Sequence, residues 1–258
     1  MKLIQVNHYE EMSKKAADII THYIKNHPNA VLGFATGSTP SGLYENLIED
    51  HRKNGTSYKA VRSFNLDEYV GLDGTHPQSY RYFMDEHLFN HIDILKENTY
   101  VLNGKAENLD MECKRYERMI QEAGGINIQI LGIGRNGHIA FNEPGTPFSS
   151  RTHIVELAES TRKANARFFQ SIDEVPTHSI TMGIASIMES QKILLLASGP
   201  SKAEPIRRLF TEPISESFPA SILKQHPNVV IIADKEALKD TDPNLFNEYV
   251  VKESTPIL

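Results

Sequence analysis

The stretch Ile126–Pro144 limits the folds open to this chain more than any other. Ile126-Asn-Ile-Gln-Ile-Leu131 alternates and is rich in Ile and Leu, which predicts a strand ending at Gly132. The residues that follow, GIGRNGHIAFNEP at Gly132–Pro144, place Asn136, His138 and Glu143 on a sharply turned loop at that strand's carboxyl end. In open α/β sheets ligands gather at this edge, because rigid strands hold loops that carry no packing duty.

Gly132, Gly134 and Gly137 also spell G-x-G-x-x-G, with Glu156 about twenty residues on, as in a dinucleotide fingerprint. That fingerprint needs the third glycine to open a helix whose N-terminus faces a pyrophosphate. Pro144, Gly145 and Pro147 end any helix begun at Gly137 within about two turns. Dinucleotide binding is therefore set aside.

With 258 residues the chain is long enough to bury a sizeable core, and no repeat or low-complexity linker divides it. The reading is a single domain over residues 1–258, built on one mostly parallel sheet with helices on both faces. The net charge of −6 and the lack of a Lys/Arg run argue against nucleic-acid binding. The N-terminus lacks the apolar centre of a signal peptide, and the longest purely apolar runs, Ile193–Ala197 and Val229–Ala233, are too short to span a membrane. Cys113 has no internal disulfide partner and suits a reducing, cytoplasmic setting.

Other predicted strands deliver polar residues to the same edge. Ala30–Phe34 leads to Thr36-Gly37-Ser38-Thr39-Pro40, with a helix expected from about Ser41. Backbone N–H groups, two hydroxyls and a positive helix end there suit a phosphate, although Ser38 or Thr39 acting only as a helix cap is equally compatible. No Gly-Lys-Ser/Thr follows, so this is not a nucleotide P-loop. Val61–Leu66 delivers Asp67 and Glu68; neighbours in extended chain point opposite ways, so one carboxylate, Asp67, faces the ligand while the other pairs or caps.

Ser79–Asn90 reads as one helix, in which His87 and His91 have metal-ligand spacing without a third ligand, so no metal site is assigned. Thr152–Leu157 is a further strand candidate. Glu159–Phe169 reads as a helix carrying Arg162, Lys163 and Arg167. Lys192–Ala197 is a buried strand ending in Ser198-Gly199-Pro200-Ser201-Lys202, and Val229–Ala233 is the last strand, with Asp234 opening a short final helix.

FNLDEYVGL at Phe64–Leu72, GIGRNGHIAFNEP at Gly132–Pro144, TGSTP at Thr36–Pro40 and the Arg167 and Lys202 segments, all in one order, resemble the glucosamine-6-phosphate deaminases nearly end to end. The resemblance implies a Rossmann-like α/β sandwich that converts D-glucosamine 6-phosphate and water to D-fructose 6-phosphate and ammonia, without metal or organic cofactor. It implies that Asp67 moves the proton between C2 and C1, that His138 opens the pyranose ring, and that Glu143 and Asn136 support the histidine. Gly37, Ser38, Thr39, Arg167 and Lys202 would hold the phosphate, with a mobile lid near 157–180. Some members have aspartate where this chain has Asn136, which can orient an imidazole but not stabilise its charge.

The related 6-phosphogluconolactonases share the early loop and the glycine-histidine element, but typically lack FNEP and FNLDEY. A sugar-phosphate hydrolase and a non-catalytic sugar-phosphate sensor are the alternatives on this fold. Regulated relatives hold an effector's phosphate with hydroxyl and basic side chains just past FNEP. The stretch here contains Thr146, Pro147, His153 and Val155, which implies no strong effector activation and a monomer or small homo-oligomer rather than an obligate hexamer.

Overall fold

The structure, a computed structural model, describes residues 1–246 and 249–250; the tail Ser254–Leu258, in which the sequence shows no signal, lies outside them. In chain order the elements are β1 (Lys2–Val6), α1 (Tyr9–Asn26), β2 (Val31–Phe34), α2 (Ser38–Asn54), β3 (Arg62–Asn65), β4 (Asp67–Tyr69), α3 (Tyr80–His87), β5 (Thr99–Tyr100) and α4 (Leu109–Glu122). They continue with β6 (Ile128–Leu131), β7 (His153–Glu156), α5 (Glu159–Asn165), β8 (His178–Thr181), α6 (Ile184–Met188), β9 (Lys192–Ala197), α7 (Ala203–Thr211), β10 (Val229–Asp234), α8 (Lys235–Leu238) and α9 (Pro243–Phe246).

Among the described residues seven strands form one sheet in the order β1-β10-β9-β6-β2-β3-β5, every pair parallel. The central strands β6, β9 and β10 are buried along their whole length, as near-continuous Ile, Leu and Val runs require when helices cover both faces. The steps β1 to β2 and β2 to β3 run one way along the sheet, whereas β5 to β6, β6 to β9 and β9 to β10 run the other. Right-handed crossovers therefore put α1 and α2 on one face and α4, α6 and α7 on the opposite face. On the first face α1 packs against α2 and buries Met12, Ile20 and Ile24, each contributing ~1.5–3 kcal/mol of hydrophobic stabilisation.

The direction of winding along the sheet reverses between the parallel neighbours β2 and β6, so the loops leaving these two strands diverge and open a crevice at their carboxyl ends. Those loops carry Gly37-Ser38-Thr39 and Gly132–His138.

The structure corrects the single-sheet expectation. Asp67-Glu68-Tyr69 is itself β4, and it forms a separate three-stranded antiparallel sheet in the order β4-β8-β7. Other boundaries shift as well. Helix α2 starts at Ser38 rather than Ser41, and the expected Ser79–Asn90 helix breaks at Leu88 before a short 3-10 turn, Phe89–His91. Helix α5 stops at Asn165 and continues as a 3-10 turn, Ala166–Phe168, and α8 is followed by α9. Gly124 and Gly125 close α4, donating to Gln121 O and Ile120 O in left-handed conformation. No helix among the described residues is long and apolar enough to cross a membrane.

Candidate active site

The loop after β6 folds back at once. Gly134 N donates to His138 O at 2.9 Å and Gly137 N to Gly134 O at 3.0 Å. A side chain on Gly134 would meet the His138 ring at 2.2 Å, and one on Gly137, where φ is +85°, would meet the Phe218 ring at 2.2 Å. The glycine pattern thus makes room for an imidazole and a phenyl ring, and Gly137 opens no helix. Ala140, at φ +51°, holds the left-handed turn between His138 and Glu143, a conformation that costs a non-glycine residue roughly 1 kcal/mol.

His138, Asn136 and Glu143 come together in one hydrogen-bonded set. Asn136 Oδ1 lies 2.7 Å from His138 Nδ1 and also accepts the His138 backbone N–H at 3.2 Å. Asn136 Nδ2 donates to Glu143 Oε2 at 2.6 Å. With the amide oxygen turned to the ring, neutral His138 carries its proton on Nδ1, leaving Nε2 as the acceptor. Glu143 Oε1 stands 3.6 Å from Nδ1 and accepts the Thr161 hydroxyl of α5 at 3.2 Å. Burial works to raise the Glu143 carboxyl, but the neighbouring His138 ring and the donors Asn136 and Thr161 outweigh that and hold it below the usual value.

Asp67 arrives on β4 and is 8% exposed. Burial, then the neighbouring Glu68 charge, push its carboxyl up to about 8. Glu68 faces the other way and caps α3, accepting Tyr80 N at 2.9 Å and Arg81 N at 3.0 Å, besides its own neighbour Tyr69 N at 2.8 Å. Burial pushes Glu68 up to about 7 against the pull of those three donors.

At the end of β2, Gly37 is the N-cap of α2; among the described residues no side chain caps the first-turn N–H groups, and that turn holds no acidic residue. Ser38 and Thr39 are the first helical residues, so neither acts as the cap. Tyr9 braces this turn, its hydroxyl donating to Ser38 O and accepting Gly42 N, both at 2.8 Å. Lys202, on the turn Pro200–Lys202 after β9, donates to Ile133 O at 2.7 Å and so reaches the β6 loop. Burial, then the nearby Arg135 guanidinium, pull the Lys202 ammonium below the usual lysine value. Arg167 lies exposed on the turn Ala166–Phe168 beyond α5.

Three contributors were not placed at the site by the sequence reading. Thr161 was passed over among its cationic neighbours. Arg135 lies inside the glycine loop. Asp234, besides capping α8, accepts Gly199 N at 3.1 Å and the Ser198 hydroxyl, and so shapes the turn that presents Lys202. Its place at a strand end was the available signal. His91, by contrast, puts Nε2 2.8 Å from Glu86 O at the end of its turn, and no group of three potential ligands gathers for a metal among the described residues.

Residues 6–232 match the family described as glucosamine-6-phosphate isomerases/6-phosphogluconolactonase. A glucosamine-6-phosphate deaminase of Geobacillus sp. (strain WCH70) is 60% identical over 238 residues, 92% of this chain and 95% of that protein. The solved structure of a monomeric glucosamine-6-phosphate deaminase is 50% identical and superposes with a TM-score of 0.91, covering 93% of this chain and 100% of the other. The 6-phosphogluconolactonase of Trypanosoma cruzi is 19% identical and shares the fold, with a TM-score of 0.76 over 93% of this chain and 96% of that one. By this match along most of its length, the chain belongs to the glucosamine-6-phosphate isomerase/6-phosphogluconolactonase family.

Proposed function

We propose that this chain converts D-glucosamine 6-phosphate and water to D-fructose 6-phosphate and ammonium. His138 Nε2 moves a proton between the anomeric hydroxyl and the ring oxygen, opening the pyranose. Asp67 then removes the C2 proton, giving an enolamine, and returns a proton to C1. The resulting C2 imine adds water and releases ammonia, leaving the ketone. A carboxylate suits the C2-to-C1 transfer because it can serve adjacent carbons in turn, and its raised proton affinity brings it nearer to that of its weakly acidic substrate. Asn136 orients the imidazole and Glu143 supplies the ionic support. Every step is proton transfer or addition of water, for which side chains suffice.

The observation that supports this reading is the buried Asp67 carboxyl together with the His138–Asn136–Glu143 set, linked through Thr181, which pairs with Asp67 across β4 and β8 and accepts the backbone N–H of Phe141. A lactonase would give Asp67 no carbon acid to work on. Gly37, Ser38 and Thr39 bind the phosphate through backbone and hydroxyls, and Lys202 and Arg167 supply charge, Arg167 on closure of a lid near 157–180. The chain acts as a single domain over 1–258, as a monomer or small homo-oligomer in the cytoplasm, without nucleic acid or membrane as partner. The test is ammonia release from glucosamine 6-phosphate with fructose 6-phosphate assayed in parallel, for wild type and Asp67→Asn, with circular dichroism to check the fold. Both products in equal amounts from wild type and almost none from the variant is the expected result; no ammonia from wild type would overturn the reading.

A further inference from the structure

The proposed reaction needs Asp67 and His138 on one sugar, yet they leave different strands of different sheets. What joins them is a short, fully buried chain of hydrogen bonds. Thr181 of β8 stands opposite Asp67 in the antiparallel pair, and its Oγ1 accepts the backbone N–H of Phe141, three residues past His138, at 3.1 Å. Asn142 Nδ2 donates to Ile139 O at 3.0 Å and to Met182 O at 2.9 Å, while Met182 N donates to Leu66 O at 2.7 Å, next to Asp67. Thr181 and Asn142 are both 0% exposed.

We propose that Thr181 is a positioning residue that, with Asn142, sets the separation between the proton-transferring carboxylate Asp67 and the ring-opening imidazole His138. The inference rests on the deaminase reading. Thr181 touches both the strand of Asp67 and the loop of His138. A buried N–H is costly to leave unpaired, so Phe141 holds to this hydroxyl, and the loop with it. The turn at Ala140 has little slack to absorb a shift, since it already lies in the left-handed region.

The test is Thr181→Val, which keeps the branched shape and removes the acceptor, with Thr181→Ser as the conservative rescue and Thr181→Ala in reserve if the valine variant does not fold. A misplacement of about 1 Å lowers kcat by roughly 10- to 100-fold, whereas KM for the sugar phosphate stays within about twofold because the phosphate cradle is separate. The serine variant recovers most of kcat. The same substitution is then made on a His138→Asn background. If Thr181 acts by placing His138 against Asp67, its penalty largely disappears there; a purely structural role costs the same on both backgrounds. An unchanged kcat in folded Thr181→Val or Thr181→Ala, or an equal penalty on both backgrounds, overturns the inference while leaving the deaminase reading intact. Failure of wild type to release ammonia overturns that reading and this inference with it.

Discussion

Asp67 and Glu68 are neighbours in β4 and face opposite surroundings: three backbone N–H groups converge on Glu68, while no described residue donates a hydrogen bond to Asp67. Alternation along the strand is what separates these two surroundings. The burial that raises the Asp67 carboxyl also makes its charge costly to the fold.

Two opposite pH dependences follow for Asp67. As a base it works ionised, so kcat/KM falls as pH drops below about 8. Its folded value lies above the unfolded value of 3.8, so the folded state holds the extra proton between the two. The stability from protonated Asp67 is fully present below about 4 and is lost as pH rises through about 8. Asp67→Asn is therefore expected to abolish ammonia release and to melt several degrees above wild type at about pH 8, with a smaller gap near pH 5. Equal melting temperatures at the higher pH would contradict a buried charge.

Asn136→Asp replaces the amide donor that meets Glu143 at 2.6 Å with a second carboxylate. Two carboxyls at that distance share a proton, and the added charge favours imidazolium. The variant is expected to keep activity but to show a displaced pH profile of kcat/KM. Complete inactivity with an intact fold, or an unmoved profile, would contradict the orienting role of the amide.

Lys202→Met removes a largely buried cation from the mouth of the crevice. A sheltered, charge-assisted hydrogen bond is worth roughly 1.5–3 kcal/mol, so KM is expected to rise about 10- to 150-fold with little change in kcat. A fall in kcat alone would move Lys202 from binding to chemistry.

Arg167→Ala is expected to raise KM about tenfold, within the range of one charge-assisted contact. Steady-state kinetics over a range of sugar-phosphate concentrations reads it directly. An unchanged KM would remove Arg167 from the phosphate site.

Hyperbolic kinetics without activation by N-acetylglucosamine 6-phosphate are expected from what the resemblance implies for the stretch that contains Thr146, Pro147, His153 and Val155. Sigmoidal rates relieved by that compound would overturn this expectation.

Much of the fold was legible because it rests on long, one-sided signals. Lys192–Ala197 and Val229–Ala233 are apolar at nearly every position, as strands buried on both faces must be, and both appear at the expected residues. The candidate-site loop was legible because His138, Asn136 and Glu143 lie within a few residues and contact each other locally. The second sheet was not: Asp67-Glu68-Tyr69 and His178-Ser-Ile-Thr are too short and polar to show a period, and only tertiary pairing makes them strands. Helix α7 was also missed. Pro205 looks like a breaker in sequence, but it sits in the first turn, where no N–H needs an intrahelical acceptor. Thr161 could not be found, since its bond to Glu143 spans 18 residues and depends on how α5 docks.

The antiparallel pairing of β7 with β8 fixes how the segment between them can move. Glu156 and His178 are register partners, and Leu157 N donates to Thr177 O at 2.8 Å just beyond them. The segment therefore leaves and rejoins the protein at points one strand spacing apart, about 4.8 Å. Its chain ends are already closed, so opening costs it no further loop-closure entropy. A rigid displacement of the segment, carrying Thr161 and Arg167 with it, would be a swing about an axis through that pair, like a page turning on its spine.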